Sequence, residues 1–281
     1  EKGKWVEIDP SGANTGTFGA KGKAPGQLLE PIGIASDLMG VVVAEAGNRR
    51  LQGFDVSNNL KTVPVLPGPA AFVQVSIIGS QPAAENVLFL SDGGSLVRRP
   101  AGIERLNAKG KVDWNWKKKE KKAPGIGDLR GWFVDAAGKI WVSDGSDDAV
   151  KSVSPNGEVL STIGKKGKKE GSLANPSALS VRPDGSVVVA DKGGSRVQVL
   201  SKDGLFLFTV GGPGRKDGQF DSADDVAANK DVVAILDAGR QALLFYGAGG
   251  KFISSVGNKE GKAPNWKNAV ALETDPQGRF Y

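Results

Sequence analysis

Four polar residues stand at the same point ahead of an apolar run: Glu30, Asp128, Asn175 and Asn268. Asp221, Ser222 and Asp224 lie near the matching place in a fifth repeat, and the steps from 128 to 175 and from 175 to 268 are 47 and 93 residues. Oxygen donors converging on one axis are what Ca²⁺ requires. The set could therefore serve a Ca-dependent lactonase or hydrolase whose site lies at the mouth of a channel. It also mixes amides with acids, and Asn, Asp or Glu before proline, as in Glu30-Pro31 and Asn175-Pro176, is an ordinary turn choice. Other chemistry is scarce. The 281 residues include no His and no Cys, which removes imidazole ligands, Ser-His catalysis, thiolate metal sites, cysteine nucleophiles and disulfides. No catalytic residue, resident metal or cofactor is assigned.

The second chemical feature is charge. Glycine-rich segments FGAKGKAPG, WKKKEKKAPG, IGKKGKKEG, GGPGRKDG and VGNKEGKAPN recur along a chain of formal net charge +6. Together with arginines near other turns they give a candidate binding set: Arg49, Arg50, Arg98, Arg99, Arg105, Lys118, Lys119, Lys121, Lys165, Lys166, Lys168, Lys169, Arg196, Arg240 and Lys262. Gathered on one face, such residues would dock an anionic surface; scattered, they are solvated turn lysines that aid solubility. Arg196 and Arg240 have a further reading as structural partners of Asp191 and Asp237. Trp114 and Trp116, two apart in KVDWNWKKKEKK, share one face of an expected strand. They would either stack a base or sugar ring beside the lysines or, as we prefer, pack between neighbouring sheets.

The elements that position these residues follow from a repeat. Apolar runs close on an acid at Glu45, Asp92, Asp144, Asp191 and Asp237, spaced 47, 52, 47 and 46 residues apart. Glycine pairs seven apart keep the same phase: Gly12 and Gly19, Gly157 and Gly164, Gly204 and Gly211, Gly250 and Gly257. From acid to turn glycine is 13 residues in three repeats and 18 from Asp92 to Gly110, which places the extra residues in SDGGSLVRRPAGIERL. Within one unit, PSALSV, SVVVAD, RVQVLS and LFLFTV read as four strands separated by RPDG, DKGGS and SKDG turns. A period in the forties with four short strands per unit predicts an all-β, six-bladed β-propeller with almost no helix. In an up-and-down blade the inter-blade loops and the turns between strands two and three share one rim, and the basic loops fall there.

One domain spans 1–281. The C-terminal run NAVALETDPQGRFY supplies the first two strands of a unit, and KWVEIDPSGANTGTFG at the other end supplies the last two. Residues 1–19 and 266–281 would therefore complete a sixth blade, leaving no long unpaired edge.

The unit GSLANPSALSVRPDG followed by VVVADKGGSRVQVLSKDG resembles an NHL repeat, as do VAILDAGRQALLFYGAGGKF and the fragments Gly26-Gln27-Leu28, Gly47-Asn48-Arg49-Arg50 and Gly218-Gln219-Phe220. The second repeat departs from that pattern with longer turns. The resemblance implies a binding scaffold, since NHL propellers are mostly binding scaffolds and some bind RNA or proteins through one face, and a fold this permissive does not carry function by itself. It is read here as a non-catalytic module that docks a protein partner, or sits in a larger complex, through the basic face; nucleic acid or an acidic glycan is the alternative partner. No apolar run is long enough to span a membrane. The start at Glu1 and the absence of cysteine lead us to expect a periplasmic or secreted protein.

Overall fold

The computed structural model describes residues 5–8, 14–18, 20–24, 26–36, 41–45, 47–48, 50–54, 86–89, 94–99, 102–107, 111–117, 125–135, 138–154, 157–257, 271–274 and 280. Five antiparallel sheets follow one another along the chain. Sheet I comprises Pro31–Ser36, Val41–Glu45 and Arg50–Phe54; sheet II comprises Asn86–Phe89, Ser95–Arg99, Gly102–Leu106 and Val112–Lys117. Sheet III comprises Leu129–Val134, Ile140–Asp144, Ala149–Val153 and Val159–Ile163. Sheet IV comprises Pro176–Val181, Val187–Asp191, Arg196–Leu200 and Phe206–Val210; sheet V comprises Asp225–Ala228, Val232–Asp237, Ala242–Gly247 and Phe252–Gly257. Trp5–Ile8 pairs with Asn14–Phe18 in a separate hairpin, and Thr274 makes an antiparallel bridge with Phe280. The only helix among the described residues is the 3₁₀ turn Lys192–Gly194.

Sequence alternation explains the layering. The second and third strands of sheets III and IV, such as VVVAD and AVKSV, are buried almost throughout because a neighbouring sheet covers each face. The fourth strands alternate instead: Leu160, Leu207 and Ile253 face outward, 57%, 47% and 50% exposed. Apolar cores fill the gaps between sheets. Leu96 and Ile103 of sheet II meet Trp132, Ile140 and Val142 of sheet III, and Val188, Val197 and Val199 of sheet IV meet Val226, Val233 and Ile235 of sheet V. First strands touch in chain order, sheet I with II, II with III, III with IV and IV with V. That order arranges the sheets radially, with every first strand innermost. At Gly131 the approach is so close that a Cβ would lie 2.7 Å from the Ala178 Cα.

Sheet II corrects the expected phase. Its innermost strand is Asn86–Phe89, so Ser95–Arg99, not the run ending at Asp92, takes the second position. Both LFLSD and SLVRR have strand-like composition, and chain pattern alone could not rank them. Arg99 stands 45 residues before Asp144 and 54 after Glu45, so the extra length falls between Phe54 and Asn86. Arg98 and Arg99 still end at the expected rim, where Arg99 pairs with Gly102 across the second-to-third turn. Arg105 does not. It lies near the far end of the third strand, 8% exposed, in an ion pair with Asp113 beside the third-to-fourth turn on the opposite rim.

Candidate docking rim

The acids that close the second strands hold the rim together. Glu45, Asp144, Asp191 and Asp237 are at most 3% exposed, and each accepts main-chain N–H groups from the loop entering its own innermost strand. Leu29 donates to Glu45 Oε1 (2.7 Å), Asp128 to Asp144 Oδ1 (2.9 Å), Ala174 to Asp191 Oδ1 (2.6 Å) and Asp221 to Asp237 Oδ2 (2.7 Å). An ionised acceptor makes such bonds strong. This latch is the physical reason for the acidic period.

A polar donor a few residues further on extends each latch. Asn48 Nδ2 bonds both Glu45 Oε1 (2.6 Å) and the Gly22 carbonyl (3.0 Å). Lys151, 4% exposed in its side chain, bonds Asp144 Oδ2 (2.7 Å), Asp147 and the Gly125 carbonyl. Arg196 bonds Asp191 Oδ2 (3.0 Å) and the carbonyls of Lys168, Lys169 and Ser172 at 2.7, 3.0 and 2.8 Å. Arg240 donates from its main chain to Asp237 Oδ1 (3.0 Å) and from its guanidinium to the Gln219 and Arg215 carbonyls. Arg196 and Arg240 are thus clamps on the basic loops, which is their structural reading.

Electrostatics follows burial and partners. Burial works against an ionised Asp144, but bonds from Lys151, Ser146 and the main chain outweigh it and hold its pKa down at about 2. Burial likewise opposes the Lys151 charge, yet Asp144 and Asp147 push its pKa upward. At Asp191 burial wins, so its pKa is raised despite Ala174 and Arg196.

The clamped loops share a hydrogen-bond pattern. Each begins with a glycine in the left-handed half of φ space, Gly22 (158°), Gly167 (153°) and Gly214 (132°). Its N–H reaches back to the carbonyl of Leu28 (3.1 Å), Leu173 (2.9 Å) or Phe220 (3.0 Å), whose side chains are buried. Parallel contacts repeat as well: Ala20–Lys21 with Gln27–Leu28, Lys166 with Leu173, and Pro213 with Phe220. The residue after the first glycine is a cation each time, Lys23, Lys168 and Arg215, and each is exposed. The spacing to the Ala-Pro-Gly or Ala-Pro-Asn that follows places Lys122 and Lys262 at the same step in sequence.

Lys165, Lys166, Lys168 and Lys169 are all exposed on this rim. Lys166 sits 3.4 Å from Asp148, Lys192 3.4 Å from Asp224 and Arg215 2.8 Å from Asp221, whereas Lys165, Lys168 and Lys169 make no ion pair among the described residues. Arg50 opens the strand Arg50–Phe54, and Arg98 and Arg99 are the last two residues of Ser95–Arg99; Arg49, Lys118, Lys119, Lys121 and Lys262 lie outside the described residues. Trp114 packs partly buried against the core between sheets II and III.

Glu30, Asp128 and Asn175 immediately precede innermost strands; Asn268 lies outside the described residues. The Asp128 carboxylate is engaged by Arg130 at 2.8 Å. Glu30 and Asn175 adopt positive φ, 51° and 65°, as turn residues. Among the described residues no group of three or more acids is placed to hold a metal ion. Sequence reasoning did not find the pairing of Lys151 with Asp144, the Asn48 bond to Glu45, or a carboxyl pair, Asp225 and Glu273, whose separation of 48 residues is about one repeat.

No family model matches the chain, and no curated protein matches it in sequence. Solved structures do match it in shape. A gluconolactonase from Xanthomonas campestris has a TM-score of 0.59 at 13% identity, covering 90% of this chain and 82% of that one. Virginiamycin B lyase from Staphylococcus aureus, with quinupristin, has 0.54 at 13% identity, covering 89% and 75%. A chain of a nidogen/laminin complex has 0.56 at 13% identity, covering 90% and 88%. With the radial order of four-stranded sheets, these likenesses identify a β-propeller fold. Similarity at this identity defines the fold alone. Among the described residues no helix is long and apolar enough to cross a membrane.

Proposed function

We propose that this protein is a non-catalytic docking module of the NHL-repeat type, with six blades, that binds an anionic partner through its basic rim. The partner surface is the acidic face of a protein or an anionic polymer. The observation that carries the reading is the recurrence of one glycine-anchored hydrogen-bond pattern that presents Lys23, Lys168 and Arg215 at equivalent positions. Loops fixed by buried latches present charge without the cost of ordering the main chain on binding. Six-bladed closure is supported by the seating of Leu272 and Phe280 against sheet V and by the hairpin Trp5–Ile8 with Asn14–Phe18. A Ca-dependent lactonase in the channel mouth draws support from the gluconolactonase likeness in fold alone, and the Asp128 carboxylate is already taken by Arg130.

Charge reversal tests the reading. Lys23→Glu, Lys168→Glu and Lys169→Glu together should lower the salt concentration at which the protein leaves an immobilised sulfated polysaccharide or polyglutamate. Lys202→Glu with Lys251→Glu, on the opposite rim, should change it little. Equal loss in both variants, or binding indifferent to salt up to physiological strength, would remove the basic rim from the account.

A further inference from the structure

The innermost strand of sheet V carries a contact that no docking role requires. Asp225 Oδ2 accepts the main-chain N–H of Leu272 at 2.8 Å, and Asp225 Oδ1 accepts that of Val226 at 2.9 Å. Leu272 and Phe280 close an apolar cluster with Ala227, Val232, Ala234, Leu243 and Phe245, and the rings of Phe245 and Phe280 meet edge to face at 5.6 Å. Leu272 and Phe280 are therefore seated on sheet V by a hydrogen bond to the Asp225 carboxyl and a compact apolar contact. Beside that bond stands a second carboxyl, Glu273, partly buried like Asp225, which accepts the N–H of Thr274 at 3.3 Å.

The surroundings are poor in compensation. Asp224, next in the chain, is held by Ser222 at 2.9 Å and the Ala238 N–H at 3.0 Å, and it takes the Lys192 ammonium at 3.4 Å. The first strand of sheet IV, Pro176–Val181, carries no titratable side chain. On the adjacent second strand of sheet V, Asp237 is held by N–H groups of Asp221 and Arg240. Burial pushes Asp225 up to about 7 against the N–H groups of Leu272 and Val226, with the Asp224 charge adding to the rise; burial and then the Asp225 charge push Glu273 up to about 8 against the Thr274 N–H.

We propose that Asp225 and Glu273 form a proton-dependent seam: with the carboxyls protonated the C-terminal segment stays on sheet V, and their ionisation loosens it. The folded seam binds protons that the open one releases, because both groups titrate above the ordinary carboxylate range. Its stability is therefore full below that range and is lost as pH rises from about 4 towards about 8. The hydrogen bond to Leu272 is the feature whose neighbour changes charge, and the apolar cluster is what holds the seam at low pH.

Hydrogen exchange read by mass spectrometry tests this on the full chain. After correction for the intrinsic rate, the peptide containing Leu272 should lose at least about tenfold in protection between pH 5 and pH 9, since one unit of relieved shift is worth tenfold. Peptides from Val187–Asp191 should not change. Glu273→Gln should flatten the dependence, and Asp225→Asn, which keeps an oxygen acceptor for Leu272, should do the same if the first variant folds poorly. Protection at Leu272 that is independent of pH in the unaltered protein, or an unchanged dependence in both variants, overturns the proposal.

Discussion

Replacing Asp144 by Asn leaves volume and shape intact but removes the charge at the centre of the sheet III latch. In the native protein one carboxylate serves N–H groups of Gly127 (3.1 Å), Asp128 (2.9 Å) and Ser146 (3.0 Å), the Ser146 hydroxyl (2.7 Å) and Lys151 Nζ (2.7 Å). An amide must turn its NH₂ toward donors on one side, so at least one buried donor loses its acceptor. The depression of the Asp144 pKa from 3.8 to about 2 corresponds to about 2 kcal/mol of stability at neutral pH. Lys151, nearly fully buried, is left with Asp147, and breaking a buried pair costs about 3–5 kcal/mol. These figures describe overlapping effects, so the expected loss is about 3 kcal/mol rather than their sum. Urea unfolding at pH 7 reads it directly. The carboxylate contribution is present above the ordinary pKa and is lost as pH falls towards 2, so the gap between the two proteins should narrow only below about pH 4. A loss under about 1 kcal/mol at pH 7, or a gap unchanged down to pH 2, would refute the latch as the origin of the acidic period.

Arg196→Ala should leave the carbonyls of Lys168, Lys169 and Ser172 without their clamp. The expected signs are a loss of about 2–3 kcal/mol by urea unfolding and faster tryptic cleavage after Lys168 or Lys169. Gly131→Ala places a methyl against the Ala178 backbone at 2.7 Å and should destabilise by about 2 kcal/mol or more, measured as a fall in Tm; the same change at the open Gly249 should not. Deleting residues 1–19 should sharply lower thermal stability if the Trp5–Phe18 hairpin completes a blade, because it exposes a sheet edge; an unaltered Tm would count against closure.

What could be read from the chain was what repeats locally. Runs such as VVVAD and RVQVL carry strand composition and period in themselves, and the turns after Asp191 and Asp237 recur at fixed steps, so the sheets were legible. Sheet II was not, because the apolar run ending at Asp92 and the run Ser95–Arg99 compete for one position, and only contact with sheets I and III decides which strand is innermost. Arg105 went with it: its place depends on which strand bears it. The pairing of Arg196 with Asp191 was open to sequence reasoning, whereas its other acceptors are main-chain carbonyls 24 to 28 residues away, which no side-chain pattern reveals. Asp225 and Glu273 escaped notice because their meeting requires the C-terminal segment to sit on sheet V.

The most direct test of the docking rim is a lysine-acetylation footprint taken with and without a saturating acidic polymer, a sulfated polysaccharide in one arm and polyglutamate in the other. The account predicts that Lys23, Lys168 and Lys169 become protected together while Lys202 and Lys251 react at unchanged rates. Protection confined to Lys202 and Lys251, or spread evenly over both rims, would contradict it.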